Sequence, residues 1–131
     1  MANFSADISR FITRANGNMD KAVAQAAVLV AQGVVLKSPV DTGRFRANWV
    51  FGKYFPQGTV SALDPSGAAT IAKIAGQVTG VKAGGEIWLV NNLPYAGKLE
   101  YGHSQQAPYG MVRTTLANIP AAIEQYIRGL P

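Results

Sequence analysis

The chain has no cysteine, one histidine and few charges, with Asp, Glu, Lys and Arg making up 15% of its 131 residues. Without cysteine there can be no disulfide framework, no thiolate nucleophile and no cysteine-ligated zinc. This suits synthesis in a reducing cytoplasm. The one histidine, His103, follows Glu100 by three residues. One His and one carboxylate make an incomplete metal site, and no partner is positioned for acid–base work. Gly102 also falls between them, where a helix is ending, so His103 reads as a loop histidine held by a structural hydrogen bond. Ser38, Asp41 and His103 are residue types of a hydrolase triad, but the Gly-x-Ser-x-Gly elbow is missing. The glycine-rich stretch 80–85 lacks the Gly-Lys-Ser/Thr ending of a phosphate loop and reads as a hairpin turn. No enzyme activity, cofactor or metal is expected.

Other features are also missing. Met1-Ala2-Asn3-Phe4 does not have the basic-then-apolar layout of a signal peptide. The longest charge-free apolar run, Ala22 to Leu36, is 15 residues, short of the ~20 that a membrane span needs. No membrane role is expected. Acids are scarce, at 7 against 12 Lys and Arg, for a net charge of +5. Residues 1–53 carry +4 of it and the remainder +1. Ordinary solubility is the plainer explanation; contact with an acidic partner surface or DNA is the sharper one. No run of five basic residues occurs, which leaves sequence-specific DNA binding without support. A charged fraction well below the usual ~25% points to surface hidden against a partner.

The apolar fraction, 48%, is enough for one core, and the length fits one domain spanning 1–131. Phe4, Ile8, Phe11 and Ile12 recur at helical spacing over 4–14, with Ser5 as the N-cap. Asn16-Gly17-Asn18 predicts a break. A second helix is expected over Met19–Lys37, with Asp20 and Lys37 placed to suit its dipole. Between Ala22 and Leu36 it holds twelve apolar residues, two Gln and one Gly. A surface helix would show a polar face. This one is either the central core helix, or packs one face on a sheet and another on a neighbouring subunit.

Pro39 ends that helix, and Val40-Asp41-Thr42-Gly43 forms a turn in which Asp41 can bond its own backbone and Gly43 can take positive φ. A strand is expected over 45–55, with Phe45, Ala47, Trp49 and Phe51 on one face and Arg44, Arg46 and Asn48 on the other. Residues 56–85 read as a variable loop or insertion containing a helix over 66–77. Glu86–Asn91 is the antiparallel partner strand. Pro94 opens a short helix through Tyr101, Gly102 ends it, and a last helix covers 109–128. The fold class is α+β: a small antiparallel sheet packed against a long N-terminal helix and a C-terminal helix. Two strands alone are marginal. Strands from 56–62 or 79–83, or a neighbouring subunit, would complete the sheet. An ion pair of Asp41 with Arg44 or Arg46 is expected across the turn. The two arginines, on one strand face, suit planar contacts with a carboxylate-bearing partner.

Three segments then stand out together. They are Ser38-Pro39-Val40-Asp41-Thr42-Gly43-Arg44-Phe45-Arg46-Ala47-Asn48-Trp49; Val90-Asn91-Asn92-Leu93-Pro94-Tyr95-Ala96-Gly97-Lys98-Leu99-Glu100-Tyr101-Gly102; and Gln106-Ala107-Pro108-Tyr109-Gly110-Met111-Val112-Arg113. In order and spacing, over residues 20–128, they resemble the tail-completion and minor-tail (neck, head–tail joining) protein family of tailed bacteriophages. The resemblance implies a viral structural protein without enzyme activity. It would form a homo-oligomeric ring, usually hexameric, between the head connector or adaptor and the tail terminator or tail tube proteins, with genomic DNA passing transiently through the channel. The protein would be made in the host cytoplasm and end in the virion, in the tail or neck. By the same resemblance Asp41, Thr42 and Gly43 set the turn, and Arg44 and Arg46 contact neighbours. Trp49 and Trp88 anchor the core. Tyr95, Leu99, Glu100, Tyr101 and Gly102 present a helix end that fixes the loop leading to Pro108, and Glu100 pairs with Arg44 or Arg46. The alternatives are a minor tail protein elsewhere in the tail, or a small basic DNA-binding or assembly protein.

Overall fold

The computed structural model describes residues 5–130, with side chains from 17 to 130. The expected Ser5 cap and the apolar row Phe4, Ile8, Phe11 and Ile12 lie outside the described side chains. Along the chain come α1 (Ser5–Lys37), α2 (Arg44–Ala47), β1 (Trp49–Gly52), α3 (Ala68–Gln77), β2 (Trp88–Asn91), α4 (Ala96–Glu100) and α5 (Val112–Arg128). The architecture is α+β, with the sheet and the shorter helices arranged about α1.

α1 is one helix of 33 residues, about 50 Å long at 1.5 Å per residue. The expected break at Asn16-Gly17-Asn18 does not occur. A helical Gly costs about 1 kcal/mol and Asn somewhat less, too little to interrupt a helix that is continuous on both sides. Asp20 is therefore not in a first turn. Its carboxylate accepts the Ala83 N–H at 2.6 Å and pairs with Lys82 at 3.8 Å, fastening the 79–85 turn to mid-helix. Gly17–Lys37, at 21 residues and a mean hydropathy of 1.4, reaches the length and apolarity of a membrane-crossing helix, longer than the charge-free run alone. In this fold Ala27, Ala31, Val34 and Val35 of that stretch are buried in protein.

The sheet is antiparallel and two-stranded among the described residues, with Trp49 opposite Asn91 and Phe51 opposite Leu89. Segments 56–62 and 79–83 add no strand. β1 begins at Trp49, not at residue 45, because Gly43 turns into the left-handed region (φ 92°) and Arg44–Ala47 make one helical turn. Phe45 and Trp49 still share a buried face, since a spacing of four satisfies the helical period as well as the strand period. Asn48 closes the turn by donating to the Arg44 carbonyl at 2.7 Å.

The core draws on segments from α1 to the start of α5: Ala31, Val34 and Val35, then Phe45, Trp49 and Phe51, Ile74 and Val78, Leu93 and Met111. α5 crosses α1 closely at Gly33, where any Cβ would collide with the Thr115 side chain. The expected 66–77 helix is present from Ala68. The last helix starts three residues later than expected, at Val112, and continues through Pro120.

A candidate interface where the three motifs meet

α1 ends in a cap built from later residues. Helix C-termini leave carbonyls unpaired and favour a cation. Arg46 supplies both needs: its guanidinium donates to the carbonyls of Leu36 (2.9 Å), Ser38 (3.1 Å) and Pro65 (2.8 Å). The Ser38 hydroxyl bonds back to the Val34 carbonyl and accepts from Trp49 Nε1 at 2.8 Å. Trp49 is buried, with its ring edge-on to Phe45 at 5.9 Å. Arg46 is thus an internal clasp, not the free strand-face arginine expected, and Ser38 is committed to the same cap.

Gly43 is needed for its φ and for space, because its carbonyl accepts from the Asp64 N–H at 3.0 Å and a Cβ there would strike the Asp64–Pro65 backbone. Asp41 is exposed and does not bond the turn; the Thr42 hydroxyl does, accepting the Arg44 N–H at 3.3 Å. The expected Asp41–Arg44 or Asp41–Arg46 ion pair is absent among the described residues. Arg44 is exposed, and only its Nε is engaged, donating to the Val60 carbonyl at 3.3 Å.

The second and third motifs join through Glu100. Its carboxylate accepts the backbone N–H groups of Met111 (2.9 Å), Val112 (2.8 Å) and Arg113 (3.1 Å), and pairs with the Arg113 guanidinium at 3.0 Å. It is therefore the N-cap of α5, supplied from eleven residues upstream, where the residue before the helix offers no side-chain cap. Burial would raise the Glu100 pKa, but these hydrogen bonds outweigh it and hold the carboxyl below its ordinary value of 4.5. The expected pairing with Arg44 or Arg46 is replaced by Arg113, which also lies over the exposed Tyr101 ring at 4.9 Å. Gly102 has φ 88°, and its missing Cβ leaves room for the Pro108 carbonyl. Pro108 itself is exposed. His103 is exposed and its side chain makes no hydrogen bond among the described residues, contrary to expectation.

The first and third motifs are tied by Gln106, whose amide accepts the Val40 N–H at 2.9 Å and donates to the Val40 carbonyl at 3.1 Å. Between them lies a cleft of about 420 Å³ lined by Asp41, Thr42, Arg44, Tyr95, Leu99 and Gln106, among others. Tyr95 is half-exposed with its ring 5.9 Å from Phe45, and Leu99 packs on the core from the cleft floor. Trp88 departs from its expected core position: it is 36% exposed and meets Phe55 edge-on at 5.1 Å.

All three motifs therefore converge on one region. Within it, Arg46, Trp49, Glu100, Gly43 and Gly102 hold the backbone, while Asp41, Arg44 and Tyr95 present groups outward. Sequence reasoning missed Ser38 as a cap, Gln106 as a brace and Arg113 as the partner of Glu100; only their presence inside the motifs pointed to them. No cluster of three or more His, Asp or Glu able to hold a metal occurs among the described residues. Comparison with protein-family models, curated proteins and solved structures finds no match.

Proposed function

We propose that this chain is a non-enzymatic structural subunit of a tailed-phage virion, forming a ring at the head–tail joint through which DNA passes. What carries the reading is the convergence of three sequence segments that resemble the tail-completion family. They are far apart in the chain, yet they meet through Gln106–Val40 and Glu100–Met111 contacts. Arg46 and Glu100, charges they partly bury, brace the fold as a rigid building block needs, and no hydrogen-bonded nucleophile–base pair occurs among the described residues. Arg44 and Asp41, which line the cleft and do not pair with each other, are the motif charges offered to neighbouring subunits or rings. A ring needs two different patches on each subunit, and the low charge and exposed apolar residues such as Tyr54, Leu63 and Leu36 provide the surface for them.

The test is electron microscopy of lysates from a phage carrying a stop codon in this gene. Filled heads beside separate finished tails are expected. Tails of irregular length, or heads with no tails, would instead place the protein elsewhere in tail assembly. Normal infectious particles would end the structural reading.

A further inference from the structure

Most acidic side chains of the described residues are engaged inside the chain. Asp20 holds the Ala83 N–H and Lys82, Asp64 accepts the Thr70 N–H at 2.7 Å, Glu100 caps α5, and Glu124 pairs with Arg128. Asp41 and Glu86 are left. Both are exposed, and among the described residues neither side chain makes a hydrogen bond or an ion pair. The arginines divide in the same way. Arg46 lies on three carbonyls, and Arg113 and Arg128 pair with acids. Arg44 keeps both terminal nitrogens open, while its Nε–Val60 bond orients the guanidinium. It lines the cleft of about 420 Å³ together with Asp41, Phe45 and Leu99.

Glu86 cannot answer Arg44 within one chain. It belongs to the 79–86 turn, just before β2, which Asp20 fastens to the middle of α1. The cleft begins at Pro39, past the C-terminal end of the same helix. From Asp20 to Lys37 the helix runs about 25 Å. The sheet separates the two groups as well. Asn91, at the other end of β2, is the residue that reaches Phe45, and from Asn91 back to Glu86 is about 16 Å of extended chain. The turn also carries Lys82, whose side chain is 81% exposed. It therefore presents charges of both signs, as the cleft does. Complementary charges left open on two different patches suit a head-to-tail contact between copies, the kind that closes into a ring.

We propose that the 79–86 turn of one copy enters the Asp41–Arg44 cleft of a second copy, where the Glu86 carboxylate pairs with the Arg44 guanidinium. An arginine held through its Nε presents its terminal nitrogens as a fork for a carboxylate. Lys82 arrives with Glu86 and offsets the repulsion that Asp41 would exert on a lone acid. The contact deepens the ring reading by naming its two complementary patches, and it rests on that reading for its biological setting.

The lack of native cysteine makes introduced thiols unambiguous. Gly85→Cys, beside Glu86, and Thr42→Cys, in the cleft wall, replace exposed residues. They are made in separate full-length chains, mixed and oxidised. A disulfide-linked dimer is expected in the mixture and in neither chain alone. Its yield should fall at ~1 M salt, where the screening length is about 3 Å. Adding Arg44→Glu to the Thr42→Cys chain should cut the yield roughly tenfold, because like charges then meet. Adding Glu86→Arg to the Gly85→Cys chain, with Arg44 intact, should cut it equally. Combining the two reversed chains should restore it to within about threefold, which a mere disturbance of either fold would not do. No link, a link in either chain alone, or a loss that the paired reversal leaves unrepaired in chains that melt normally overturns the proposal. The two failures separate cleanly. Wild-type chains that associate in sedimentation without this link remove the contact and leave the ring; a rescued link beside normal stop-codon particles removes the virion role and leaves the contact.

Discussion

Arg44 and Arg46 are two residues apart and do opposite things. Arg46 has its guanidinium on three carbonyls and closes the end of α1; Arg44 leaves its terminal nitrogens at the cleft mouth. Hydrogen bonds to charged groups contribute about 1.5–3 kcal/mol each, with strong overlap when one group makes several. Arg46→Ala should therefore lower stability by about 2–3 kcal/mol, and Arg46→Lys should recover little because the fork geometry is lost. Arg44→Ala should cost under about 1 kcal/mol yet impair particle assembly. Thermal melts of the purified variants, set beside complementation of the stop-codon phage, check both; equal melting of the two variants would refute the division of roles. Acid acts through Glu100 and Asp64. Burial opposes ionisation at Asp64 as well, but the Thr70 hydroxyl and the N–H groups of Thr70, Gly67 and Ala69 hold its carboxyl below 3.8. Both folded pKa values are depressed, so the stability they confer is fully present above the ordinary values of 4.5 and 3.8 and is lost as pH falls through the lower folded ones. A Glu100→Gln chain should be about 1–2 kcal/mol less stable near neutrality and lose less than the wild type between pH 5 and pH 3. Parallel losses in urea titrations at both pH values would contradict the capping role of Glu100.

At the level of elements, the helices were more legible than their boundaries. The final helix, the 66–77 helix and the short helix after Pro94 follow from apolar spacing and Pro/Gly punctuation, and all three are present. Two misreadings have clear causes. Phe45, Ala47, Trp49 and Phe51 fit a period of two, but Phe45 and Trp49 fit a helical turn equally well, and the left-handed Gly43 decided for the turn. Asn16-Gly17-Asn18 reads locally as a stop, yet the helix runs through it, because a local preference of about 1–2 kcal/mol is weaker than continued helix hydrogen bonding. That difference is measurable. A methyl group added at Gly17 would meet nothing within 4 Å, and the residue has no positive φ. Gly17→Ala should accordingly stabilise the protein by about 1 kcal/mol, a rise of a few degrees in Tm for a chain of this size. Had the break been real, with Gly17 left-handed, the same change would lower Tm. The site was legible only as a set of motifs. Which arginine is free, and which residue answers Glu100, depend on contacts such as Arg46–Pro65 and Glu100–Arg113 that link separated segments and leave no periodic trace.

For the whole molecule, the remaining question is whether a charge of +5 makes this a DNA-binding protein. Much of the charge is occupied or dispersed. Arg46 is spent on carbonyls, and Arg113, Arg128 and Lys82 are paired with acids. Among the described residues, the cations without an ion pair include Lys21 and Lys37 on α1, Arg44 on α2, Lys53 past β1, Lys73 on α3 and Lys98 on α4. These six sit on four helices and the loop after β1, so no single element carries the continuous basic stripe that tracks a phosphate backbone. The free chain should bind duplex DNA weakly, with few phosphates neutralised. Each phosphate contact contributes about −0.9 to the slope of log K against log salt, so a slope of about −3 or shallower is expected, with binding no tighter than about 10⁻⁴ M at physiological salt. Fluorescence anisotropy with a labelled duplex across a salt series measures both quantities. A slope near −6 with micromolar affinity would mean that the cations converge on one groove and would favour the DNA-binding alternative. A shallow slope in the dilute chain, steepening at concentrations where copies associate, would mean that the positive surface is assembled from several subunits, as a ring around DNA requires.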